Sequence, residues 1–262
     1  MSRSAILFIH GLASGPRTWK PLTDLMRADP RIPDRLEFEQ FEYNTRLVGS
    51  RLLTRVPSYR TAADKLRTRY ERISPGYDEI VVITHSQGGL VLQTFLSRML
   101  SDGQGEKLAP IKRIVMTACP NGGSGIFLLP RRVMGGFLLN VQEKRLRPLD
   151  EEVADTHRHV VKGIAEATQV TTASCPIPIV SFAAESDRIV QRASAYGSFR
   201  LHGILPGSHN NVHKPRSLDD PGYLDLSNEV LRGFANGVAA SRTPPAGGPG
   251  TAPATAAPPT IP

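Results

Sequence analysis

The chain is poor in cysteine, in tryptophan and in long apolar runs, and each shortage removes a class of protein. Two cysteines among 262 residues, Cys119 and Cys175, are too few for a disulfide framework and do not stand at metal-ligand spacing. No segment approaches the roughly 18 uninterrupted apolar residues of a membrane-spanning helix. Residues 1–12, MSRSAILFIHGL, carry one arginine and an apolar run that flows directly into His10-Gly11, so they read as a strand and not as a secretory leader. The expectation is a cytoplasmic protein whose thiols stay reduced. A concentrated basic block is also missing. The net charge is +8, but the arginines are spread along the chain with no aromatic-interleaved basic segment. That excludes nucleic acid as the expected partner and leaves peripheral contact with an anionic membrane surface.

What is present fits one globular domain. Apolar residues make up 40% and charged residues 21% of the chain, and single α/β domains commonly run to about 200–250 residues. The domain is expected over residues 1–240. Residues 241–262 are almost wholly Pro, Ala, Gly and Thr, too little apolar surface to offset the entropy of ordering, so a disordered tail is expected.

Residues 79–90, EIVVITHSQGGL, carry the most information. Ile80, Val81, Val82 and Ile83 form a β-branched run bounded by Gly76 and by Gly88-Gly89, the pattern of a strand buried on both faces of a parallel sheet. From Leu90 onward apolar residues recur at helical spacing, so strand passes into helix through a turn of a few residues. Ser86 sits on that turn, where helix N–H groups favour negative charge. Other strands are expected at 5–9, 36–41, 111–117 and 178–183, and helices at 17–28, 58–73, 150–168 and 221–236. Trp19 is assigned to the core. His157 and His159, on a polar helix, are expected to face solvent.

Thr84-His85-Ser86-Gln87-Gly88 resembles the nucleophile elbow of the α/β-hydrolase superfamily, G-x-S-x-G, with Thr84 in place of the first glycine. Residues 8–19, FIHGLASGPRTW, are similar to the segment that shapes the oxyanion hole in that superfamily. The resemblance implies two backbone donors, from Leu12 and Gln87. The strand at 178–183 is followed by Ala184-Glu185-Ser186-Asp187-Arg188-Ile189-Val190, similar to the superfamily's acid-bearing exit. It implies Asp187 as the acid, with Glu185 on the same loop as a competitor. Residues 205–215, LPGSHNNVHKP, resemble a segment of lipase-like serine esterases of the PGAP and SERAC type. That resemblance implies His209 as the base, with His213 as the alternative, while His10 and His85 fall inside the other two motifs. The chain order Ser86, Asp187, His209 is the superfamily's own.

The resemblance implies an α/β-hydrolase fold, with a mostly parallel central sheet flanked by helices. Because only four residues precede the strand at 5–9, the domain is expected to lack the superfamily's two N-terminal strands, and a small cap or lid insertion is expected at about 124–170. Within that insertion Phe127, Leu128, Leu129, Val133, Met134 and Phe137 could line an acyl-chain groove, and Arg131 and Arg132 could meet an anionic lipid surface. The loop at 118–123 resembles the small-residue loop beside the active site, and Cys119 within it receives no catalytic role. The implied activity is a serine hydrolase of esterase or lipase type. It would act on a small-molecule or lipid ester with a hydrophobic acyl group and need neither metal nor organic cofactor. An acyltransferase using the same residues and a non-catalytic binding protein on the same fold are the alternatives.

Overall fold

The run Ile80-Val81-Val82-Ile83 forms the middle of the sheet because its side chains alternate between two buried faces. Ile80 and Val82 pack with Leu66, Tyr70 and Phe95, whereas Val81 and Ile83 pack with Trp19, Leu22, Tyr223 and Val230. A strand apolar at every position needs helices on both sides, and the chain supplies them. The computed structural model describes residues 2–12, 14–43, 59–122 and 147–240. The expected acyl groove, Arg131-Arg132 and the tail lie outside the described residues.

Six strands form the sheet: β1 (Ser4–Ile9), β2 (Glu37–Phe41), β3 (Glu79–His85), β4 (Ile111–Thr117), β5 (Ile179–Ala184) and β6 (Leu201–Leu205). Their order is β2-β1-β3-β4-β5-β6, and every neighbouring pair is parallel. Helices α2 (Tyr59–Ile73) and α3 (Gln87–Ser101) cover one face; α1 (Lys20–Ala28) and α6 (Pro221–Ala240) cover the other. Two further helices, α4 (Arg147–Val160) and α5 (Arg192–Tyr196), follow β4 and β5 respectively in sequence. This is the expected fold class. No helix among the described residues is long and apolar enough to cross a membrane.

The structure departs from the sequence reading in detail. α1 begins at Lys20, after a 3-10 turn at Pro16–Trp19. α4 ends at Val160 and gives way to a π turn at Val161–Ala165. β6 was not expected as a strand at all, because only Leu205 of its five residues is buried.

One polar contact ties the two helices of the second face. Asp29, just past α1, accepts hydrogen bonds from Arg31 Nη2 at 2.7 Å and from Tyr223 Oη on α6 at 2.7 Å. The Arg31 hydrogen bonds, aided by Tyr223 and opposed by burial, hold the Asp29 carboxyl down at about 2. Asp29→Ala takes from the buried phenol its short acceptor and leaves it the Leu25 carbonyl at 3.4 Å, so a loss of about 1–3 kcal/mol is expected from urea unfolding at pH 7. The folded value lies below the unfolded 3.8. The contribution is therefore present above about pH 4 and lost as pH falls toward 2, and the gap between wild type and variant should close across that window.

Candidate functional site

The chain runs from β1 to β2 on one side and then returns to place β3 on the other side of β1. Strand order therefore reverses between β1 and β3, and the carboxyl ends of these strands border the crevice where open α/β sheets take their ligands. Leu12 follows β1 and Ser86 follows β3, one on each side of that point. Asp187 follows β5 and His209 follows β6, so all four leave the same edge of the sheet.

Ser86 is held at φ +54° and ψ −127°. A non-glycine residue in this region costs of order 1–3 kcal/mol. The surroundings enforce it: the Ser86 N–H donates to the Thr117 carbonyl at 3.0 Å, and the Gly89 N–H donates to the Ser86 carbonyl at 3.0 Å. Close approach explains two neighbouring glycines. A Cβ on Gly11 would stand 2.8 Å from Ser86 Cβ, and one on Gly88 would stand 2.5 Å from the Ile9 carbonyl oxygen. Thr84, where the superfamily pattern has glycine, turns its hydroxyl to Cys119 Sγ at 3.2 Å. Burial pushes the Cys119 thiol up to about 12, so it is no source of thiolate.

Ser86 Oγ lies 2.8 Å from His209 Nε2, and His209 Nδ1 lies 2.9 Å from Asp187 Oδ2. The line is dry: the side chains of His209 and Asp187 are 5% and 2% exposed. Asp187 Oδ1 accepts the amides of Ile189 at 2.7 Å and Val190 at 2.9 Å. Burial opposes ionisation of this carboxyl, but the His209 hydrogen bond and the two amides outweigh it and hold the carboxyl below its ordinary value. Neither competing residue joins this line. Glu185 is exposed, its N–H bonded to the Leu205 carbonyl. His213 is buried, with Nε2 2.8 Å from Thr18 Oγ1.

Gln87 is the first residue of α3, so its N–H has no acceptor within the helix. Leu12 is buried one residue beyond Gly11, the residue that packs against Ser86. The segment leading to it is pinned by Tyr43, which stacks on the His10 ring at 4.5 Å and donates its hydroxyl to the His10 carbonyl at 2.7 Å. Burial lowers the His10 pKa, and the neutral ring acts as part of this support.

A family model described as the alpha/beta hydrolase family matches residues 6–255. The chain belongs to that family. Solved structures of similar fold share little of its sequence. ClbQ from the colibactin NRPS/PKS pathway is 13% identical at a TM-score of 0.52, over 91% of this chain and 100% of that one. An alpha/beta hydrolase enzyme, MGS-MChE2, from the metagenome of sediments of the Mar Chica lagoon, Morocco, is 14% identical at 0.50, over 88% and 92%. A lipase-esterase related protein from Clostridium acetobutylicum is 9% identical at 0.50, over 87% and 93%. No curated protein matches the chain in sequence.

Within this alpha/beta hydrolase family member, sequence reasoning missed a polar network beside the site. Contrary to the expectation of a solvent-facing residue, His157 on α4 is buried. Its Nδ1 donates to Gln93 Oε1 on α3 at 2.8 Å, and its Nε2 accepts the Ser198 N–H at 2.9 Å. Burial, with help from Arg158, lowers it to about 4. The Gln93 amide continues to Asn121 Oδ1 at 2.8 Å, and Asn121 donates to Ser181 Oγ at 2.9 Å and to the Ala195 carbonyl at 2.5 Å. The network thus ties α3 and α4 to the loop after β4 and to α5, which follows the Asp187 turn. His159 is half-buried, with Nδ1 2.8 Å from Ser97 Oγ.

Proposed function

We propose that the protein is a serine hydrolase that cleaves carboxylic esters through an acyl-enzyme. The observation that carries this reading is the buried, hydrogen-bonded line from Asp187 through His209 to Ser86. Asp187 accepts from His209 Nδ1, which leaves the lone pair on Nε2 facing Ser86 Oγ. As Oγ attacks the ester carbonyl, Nε2 takes its proton, and the ionised Asp187 stabilises the imidazolium that forms. The N–H groups of Leu12 and Gln87 are the proposed donors to the carbonyl oxygen as it becomes negative. The imidazolium then protonates the leaving alcohol. Water, deprotonated by the same Nε2, releases the acid and restores Ser86.

Two finer assignments accompany the reading. The segment at 205–215 supports a place among lipase-like esterases of the PGAP and SERAC type, and the apolar composition of residues 126–139 supports a hydrophobic acyl group. The test is labelling by a fluorophosphonate, with the adduct mapped by mass spectrometry, followed by p-nitrophenyl esters from acetate to octanoate. The expected result is an adduct on Ser86 and a kcat/KM that rises with chain length. A folded protein that takes no label would overturn the serine hydrolase. Equal rates on acetate and the longer esters would remove the hydrophobic acyl preference. Product ester formed on adding a short alcohol would assign acyl transfer instead.

A further inference from the structure

Two buried histidines beside the site have no step in that reaction. His85, the last residue of β3, packs against His213 with ring centroids 4.0 Å apart and the planes tilted by 35°, and lies 5.0 Å from the His209 ring. His213 in turn packs 5.0 Å from the Trp19 ring. His85 Nε2 lies 2.7 Å from the backbone carbonyl oxygen of His209. A carbonyl only accepts, so Nε2 carries the proton and His85 is the donor. Its Nδ1, buried with no hydrogen-bond partner, faces the turn after β1, where a Cβ on Gly11 would stand 3.2 Å away. One ring therefore touches the nucleophile elbow, the turn before Leu12 and the loop that carries His209.

We infer that His85 is a positioning residue: by donating to the His209 carbonyl it fixes the loop carrying the base against the nucleophile elbow, and so sets the approach of His209 Nε2 to Ser86 Oγ. The inference rests on the hydrolase reading. Its physical reason is the number of anchors a loop residue needs. Asp187 holds His209 at the Nδ1 edge of the ring, and the Asn211 and Val212 amides on the Ser208 carbonyl close the turn locally without tying its backbone end to β3. The bond at the carbonyl fixes that end, and a base misplaced by about 1 Å loses on the order of a hundredfold in rate. Neutrality matters as well. Burial and the facing His209 lower His85 to about 3, with a smaller push from Lys214, against the bond to the His209 carbonyl and the Asp187 charge, which both favour the cation. Burial and His85 likewise hold His213 well below its ordinary value, with Lys214 and His209 adding to the effect. The rings packed beside His209 thus add no cation where an imidazolium must form.

Three variants test the role: His85→Leu, His85→Asn and His85→Gln, assayed with p-nitrophenyl butyrate and with fluorophosphonate labelling rates. Glutamine reaches far enough to put an amide N–H where Nε2 stands, while asparagine is one methylene short and leucine has no donor. The leucine and asparagine variants should lower kcat about 10- to 100-fold with KM within about twofold, and glutamine should stay within about threefold of wild type. Because Asn and Gln are both polar and differ by one methylene, their comparison stands even if the leucine variant does not fold. Wild-type kcat in the asparagine variant, or a glutamine variant as slow as asparagine, overturns the inference. A wild type that takes no label sinks the hydrolase reading, and this role with it.

Discussion

Ser86→Ala and His209→Ala should each lower kcat/KM on p-nitrophenyl butyrate by about 10⁴- to 10⁶-fold, and the double variant should be no slower than the worse single one. The reason for the non-additivity is geometric. Oγ and Nε2 share one hydrogen bond of 2.8 Å, so removing either partner abolishes the same proton transfer. Fluorophosphonate labelling should vanish in Ser86→Ala and fall to background in His209→Ala. His213→Ala should still label, because its Nε2 is bonded to Thr18 and not to Ser86. If His209→Ala retained wild-type labelling while His213→Ala lost it, the base would have to be reassigned.

Asp187→Asn should lower kcat by about 10³- to 10⁴-fold with little change in fold. Asp187 Oδ1 is held by the amides of Ile189 and Val190. In the variant those two donors require an oxygen at the same place, which forces the new amide nitrogen toward His209. There it donates to Nδ1, drives the proton onto Nε2, and leaves Ser86 facing a nitrogen that cannot accept. Asp187→Ala removes the wrong donor as well as the right acceptor, so it should be no worse than Asp187→Asn. Glu185→Gln should stay within about twofold of wild type, since that side chain is exposed. A large loss in Glu185→Gln with none in Asp187→Asn would transfer the acid's role.

The parts of the fold that were legible in the sequence are those where one physical rule dominates. β1, β3, β4 and β5 are buried on both faces, and burial writes itself as an apolar run, broken in β4 by Lys112-Arg113 and in β5 by Ser181. β6 obeys a different rule. As an edge strand it leaves Leu201 and Ile204 48% and 43% exposed, includes Gly203 and buries only Leu205, so no run or alternation marks it. Ser86, Asp187 and His209 could be named as candidates because each follows a strand end within a short local pattern. Tyr43, Asn121 and the burial of His157 were not, because each depends on partners far along the chain. Tyr43 reaches back 33 residues to His10, and His157 reaches 64 residues to Gln93. Nothing in a polar helical stretch tells a solvent-facing histidine from one that meets a glutamine on another helix.

The separation of Ser86 from His209 by 123 residues also sets a timetable. A ribosome adding about 5–20 residues per second makes the elbow roughly 6–25 s before it makes the imidazole that completes the line. During that interval β4 is made and its Thr117 carbonyl can already hold the Ser86 turn, but β6 and the loop that carries His209 are absent until its end. On the proposed mechanism, a nascent chain that presents its nucleophile before its base is chemically silent, so the growing polypeptide would lack the means to attack an ester until residue 209 is made.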